Sequence, residues 1–149
     1  MSDLVLEPYA VQQRWQMPAP LSGRDWPALL AAYLASLARA CSEAGPCVIG
    51  HIKALALFPD GGYLRVSVVS STHPPTTDGQ APDGVAELAV TLNVLVYGLA
   101  RDVLQKLSSD IAADLAAAHA GRVTVKDAAS VGQPLFPNVG EHTHHSHPN

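Results

Sequence analysis

A chain of 149 residues, 48% hydrophobic and 15% charged, has the size of one ordinary domain. Its mean hydropathy of +0.13 excludes disorder throughout. A net charge of −4, with nine Lys and Arg spread singly, argues against a general affinity for phosphate backbones.

Residues 1–24 read as an extended arm, because Pro8, Pro18, Pro20 and Gly23 forbid a long helix. Val5, Leu6, Tyr9, Val11, Trp15 and Met17 give it apolar handholds, along the domain or on a neighbouring subunit. Asp3, Glu7 and Arg14 leave no apolar run for a signal peptide. No stretch further on reaches the length of a membrane span, so the expected address is the cytoplasm.

A first helix starts at Asp25, a candidate cap, with Pro27 in the first turn, where its missing N–H does no harm. Leu30, Tyr33, Leu34, Leu37 and Cys41 recur at helical spacing until Gly45-Pro46. Cys41 and Cys47 bracket the exit. Without C-x-x-C spacing they read as small buried hydrophobes rather than as a redox pair or half of a metal site.

A hairpin follows. Residues 47–58 are rich in β-branched and aliphatic side chains. From Tyr63 to Val69, Leu64, Val66 and Val68 alternate with Arg65 and Ser67. The glycines of Pro59-Asp60-Gly61-Gly62 supply the positive φ a tight turn needs. Residues 70–84 read as a polar loop. Then Leu88, Val90, Leu92, Val94 and Val96 alternate up to Gly98, which argues for a long strand with one buried face and against a single helix over 85–119.

A second helix is expected from about Leu99 to His119, with Val103, Leu104, Leu107, Ile111, Leu115 and Ala118 as its apolar stripe. Gly121 stops it, and 122–126 reads as a short edge strand. The fold class is therefore α+β: a mainly antiparallel sheet with two helices on one face, in the order αβββαβ. The division is 1–24 as the arm, 25–127 as the domain and 128–149 as a flexible His-rich tail. With aromatics at 5%, the core should consist of Leu, Val, Ile and Ala.

Val90–Gly98, the helix after it and Gly121–Lys126 resemble the alkaline-shock-protein family of bacteria. There an alternating strand ending in Tyr-Gly, here Tyr97-Gly98, precedes an amphipathic helix and a Val-x-Val strand. The resemblance spans about a quarter of the chain. This chain has Val96 where the family usually carries an acidic residue, and its hairpin 47–69 is longer. The resemblance implies a scaffolding or envelope-stress role without catalysis.

Chemistry-bearing residues are few. His142, His144, His145 and His147 form an H-x-H-H-x-H tract whose imidazoles suit Ni, Zn or Cu, held loosely for storage or delivery. His51, His73 and Arg65 are the candidates for a small enzyme pocket between loop 70–84 and the sheet, with Asp60, Asp78 or Asp83 as a possible acid partner. The simpler account makes His51 an outward-facing sheet residue and His73 an exposed loop residue. His119 suits the negative end of a helix. Asp110 and Asp114, four apart, could share a cation or simply face solvent. No G-x-x-x-x-G-K, G-x-G-x-x-G or G-x-S-x-G occurs. The first expectation is a non-catalytic binding or assembly module that self-associates or takes a protein partner, with no nucleic acid and no membrane span. A metal-handling accessory protein using the tail and a small enzyme are the alternatives.

Overall fold

A computed structural model describes residues 5–119 and 123–127 of the chain. It is an α+β structure with the elements β1 (Tyr9–Leu21), α1 (Asp25–Ala44), β2 (Val48–Leu57), β3 (Tyr63–Val68), β4 (Thr76–Gln80), β5 (Val85–Tyr97), α2 (Arg101–Ala118) and β6 (Thr124–Asp127). The strands form one six-stranded sheet in the order β4-β3-β2-β5-β1-β6, antiparallel at each pairing. The chain order therefore differs from αβββαβ by two strands, β1 and β4.

The first of these lies in what reads from the sequence as an arm. Extended it is, but it runs inside the sheet, between β5 and β6. Tyr9, Val11, Gln13 and Trp15 pair with Val94, Leu92, Val90 and Leu88, the buried row of β5. Pro18 and Pro20 fall where the β1–β5 register shifts, between Gln16 and Leu21, so neither removes a regular ladder bond. The second lies in the polar loop: Thr76–Gln80 pairs with β3 as an edge strand, exposed at every residue. An edge with no buried face has no need of hydrophobic alternation. Its one strict demand is at Gly79, which has φ +96° and where a Cβ would lie 2.3 Å from the carbonyl oxygen of Tyr63.

The hairpin and the long strand form as their alternation predicts. Leu64, Val66 and Val68 are buried, as are Leu88, Val90, Leu92, Val94 and Val96. Gly61 and Gly62 turn the β2–β3 hairpin at φ +109° and +98°. On α1, Leu30, Tyr33, Leu34, Leu37 and Cys41 are fully buried. Asp25 is the first residue of that helix rather than its cap: Arg24 holds the cap position and makes no side-chain bond there. The carboxylate still sits favourably in the first turn.

Helix α2 is rotated from its expected stripe. Leu104, Ser108 and Ala112 are its buried residues, while Val103 is 37% exposed and Ala118 also faces solvent. A serine thus occupies the centre of the packed face. The first amide of α2 is satisfied from the N-terminal segment, since Arg101 N–H donates to Glu7 Oε1 at 2.7 Å. The core also departs from expectation in composition. Its largest fully buried side chains are Trp15, Trp26 and Tyr33, joined by Leu, Ile, Val and Ala.

Candidate functional site

The residues singled out by chemistry do not converge. His51 lies half-buried on β2. Burial and the neighbouring Lys53 ammonium lower its pKa and so favour the neutral imidazole. It lines a hollow of about 570 Å³ with Lys53, Asn93, Leu95 and Arg101. His73 is exposed in the loop before β4, where Ser70 Oγ lies 2.9 Å from its Nδ1. Arg65 belongs to a third place. A hollow of about 220 Å³, where β4 meets the sheet, is lined by Lys53, Arg65, Ser67, Thr76, Thr77 and Asp78. The pocket expected between this segment and the sheet thus holds Arg65 but neither histidine.

Cys41 is buried and its thiol is pushed up to about 12, first by burial and then by Cys47. Burial also raises the Cys47 thiol, whose Sγ lies 3.4 Å from the Cys41 carbonyl oxygen. Both shifts favour the protonated thiol over the thiolate, the nucleophilic form. Asp110 accepts from Lys106 Nζ at 2.8 Å, an exposed i,i+4 pair. His119 follows α2 as its C-cap, and its backbone N–H donates to Leu115 and Ala116. Among the described residues no group of three or more His, Cys, Asp or Glu is placed to hold a metal ion. The histidines of the tail, His142, His144, His145 and His147, lie outside the described residues.

Sequence reasoning missed a buried polar chain. Trp15 Nε1–H donates to Gln13 Oε1 at 3.0 Å, Gln13 Nε2–H donates to the Tyr33 hydroxyl at 3.2 Å, and that hydroxyl donates to the Ser108 carbonyl at 3.1 Å. The Trp15 and Tyr33 rings meet edge to face, with centroids 5.2 Å apart. Because Gln13 and Tyr33 satisfy each other, the network ties β1 to both helices and presents no reactive group. Gln13 at an inward position of an alternating stretch was the only signal for it.

Burial pushes the Tyr33 hydroxyl up to about 12. Folding thus favours the protonated forms of Tyr33 and Cys41. Their contribution is intact below the unfolded-state values, near 10 for Tyr and 9 for Cys. It is lost as pH rises towards 12, on the order of 3 kcal/mol for Tyr33 and on the order of 4 kcal/mol for Cys41. Urea melts between pH 8 and 12 should show stability falling across that window, and Tyr33→Phe should flatten the fall. A slope unchanged in Tyr33→Phe contradicts this assignment.

The remaining surface is the outer face of the sheet. Registry places Lys53, Leu55 and Leu57 of β2 beside Ser67, Arg65 and Tyr63 of β3, and beside Asn93, Thr91 and Ala89 of β5. These positions alternate with the core row and so stand on the opposite face, where Ala89 is itself covered by its neighbours. Leu55, Leu57 and Tyr63 are 37%, 45% and 39% exposed. The Arg65 guanidinium lies 5.4 Å from the centre of the Tyr63 ring. The Arg14–Glu87 ion pair, at 3.2 Å, bounds the patch on the β1 side. No described helix is long and apolar enough to cross a membrane. No family model, curated protein or solved structure matches the chain.

Proposed function

We propose that this chain is a non-catalytic binding or assembly module that self-associates through the outer face of its sheet. The observation that carries this reading is the contiguous patch of Leu55, Leu57 and Tyr63, each more than a third exposed on the two paired strands β2 and β3. The solvated face of an antiparallel sheet ordinarily alternates to polar residues. Two leucines and a tyrosine side by side there stand to gain about 25 cal/mol for each Å² of apolar surface covered. Leu30, Leu34 and Leu37 of α1 and Leu104 of α2 join the core cluster with the inward row of the sheet, which supports an outer face open to a partner. The protonated thiols and the separation of His51 from His73 add support for a role without catalysis, as does the resemblance of residues 90–126 to a family with scaffolding roles.

Light scattering tests it. The full chain should have a mass above that of the 15.6 kDa protomer, and Leu55→Ser with Leu57→Ser should reduce it to one protomer. Both leucines are exposed, so the double variant should keep its circular dichroism and melt close to the parent. A parent chain that is strictly monomeric at the highest concentration reached would sink the proposal.

A further inference from the structure

We infer that the occupant of the outer sheet face is the exposed side of α2 on a second copy of the chain, so that copies join head to tail. This rests on the assembly reading above and specifies its partner. The first ground is charge. Four cations stand on the outer face, Arg14, Lys53, Arg65 and Lys126, against two carboxylates, Asp78 and Glu87, on a chain of net charge −4. The excess of acid therefore lies on the rest of the molecule. Among the described residues neither Lys53 nor Arg65 has a carboxylate within 4.0 Å. Both flank the Leu55 position and are available to an incoming anion.

The second ground is shape. The solvent side of α2 carries Asp102, Asp110 and Asp114 around Val103, Ala113 and Ala117, all exposed. These positions fall on one side of a helix at 100° per residue, and Lys106 is the cation among them. Small side chains between carboxylates complement large ones between cations: Ala113 and Ala117 leave room for Leu55, Leu57 and Tyr63. The helix, 18 residues long, spans about 27 Å at 1.5 Å per residue, close to the about 24 Å width of six strands.

Third, one copy cannot satisfy itself. Leu104, Leu107 and Leu115 of α2 join the core on the inner side of the sheet, so the acidic side of the helix points away from the outer face. A contact between two different patches is heterologous, and it closes into a ring or continues as an open chain.

Paired charge reversals test the inference on the full-length protein by light scattering. Lys53→Glu with Arg65→Glu makes the sheet face acidic, and Asp110→Lys with Asp114→Lys makes the helix face basic. Each double variant alone should be monomeric. An equimolar mixture should regain the parent mass, because every junction between the two kinds of copy again joins opposite charges. Circular dichroism checks that each is folded. Should the lysine pair perturb α2, Asp102→Asn with Asp114→Asn should still weaken assembly by about two- to thirtyfold, as two exposed ion pairs of about 0.2–1 kcal/mol each imply, and make it less sensitive to salt. If the helix variants assemble like the parent while the sheet variant does not, the sheets stack face to face; this inference then fails while the assembly reading stands. A mixture that remains monomeric also overturns it. A monomeric parent overturns both.

Discussion

Deleting residues 1–21 is expected to abolish cooperative folding. The loss follows from where β1 lies rather than from how many residues go. It separates β5 from β6 in the sheet, so its removal strips two neighbours of their hydrogen-bonding partner at once. β6 is four residues long and among the described residues pairs only with β1, so it would lose that ladder. Buried N–H and C=O groups without partners each cost about 1–3 kcal/mol. The same deletion takes Tyr9, Gln13 and Trp15 out of the core and Glu7 away from the first amide of α2. Gly98 N–H, which donates to the Val5 carbonyl at 2.8 Å, also loses its acceptor where β5 ends. Against a total stability of about 5–15 kcal/mol for a domain, these losses leave nothing. Thermal melts followed by near-ultraviolet circular dichroism should show a sigmoidal transition for the full chain and none for the truncated one. A truncated chain that melts cooperatively within a few degrees of the parent would mean that β1 is the detachable arm its prolines suggest.

The parts of this fold that are legible in the sequence are those whose local pattern and tertiary surroundings agree. Leu88 to Val96 alternate because one side faces the core along the whole of β5, and Pro59-Asp60-Gly61-Gly62 supplies a turn between two such strands. β1 fails that test for two reasons. Its inward row includes Gln13, tolerable only because Trp15 and Tyr33, distant in sequence or hidden by the pleat, complete its hydrogen bonds. Its prolines argue for a break until the register shift at Gln16/Leu21 shows where they fit. β4 fails because an edge strand with both faces in solvent carries no period at all. On α2 the rotation that buries Ser108 and exposes Val103 is set by tertiary packing, including the Tyr33 hydroxyl on the Ser108 carbonyl, a contact across 75 positions. The candidate surface is hidden for a related reason. Leu55 and Leu57 read as ordinary members of an aliphatic strand, and only the pairing of β2 with both β3 and β5 puts Lys53, Arg65 and Tyr63 around them. Histidines attract notice as letters, whereas an assembly face is a property of neighbours.

Trp15→Ala should destabilise the chain more than any other single truncation of a β1 side chain. Trp15 is fully buried on the strand between β5 and the edge strand β6, paired with Leu88 on one side and Val125 on the other. Removing a buried tryptophan ring costs about 3–5 kcal/mol through lost transfer energy and the cavity left behind. The variant also removes the indole N–H that donates to Gln13 Oε1 and the edge-to-face contact with Tyr33. Gln13 is 2% exposed, so its oxygen would remain buried without that donor, adding about 1–3 kcal/mol. For a chain of this size each kcal/mol lowers Tm by about 2–4 °C, so a fall of more than about 10 °C is expected. Trp15→Phe separates the two contributions: it keeps most of the ring volume and the aromatic contact while losing the N–H. It should therefore fall between the parent and the alanine variant, and Gln13→Leu in the Trp15→Phe background should restore part of the loss by removing the stranded amide. A Trp15→Ala variant that melts within about 3 °C of the parent would contradict both the packing of β1 between β5 and β6 and the polar chain that ties it to α1 and α2.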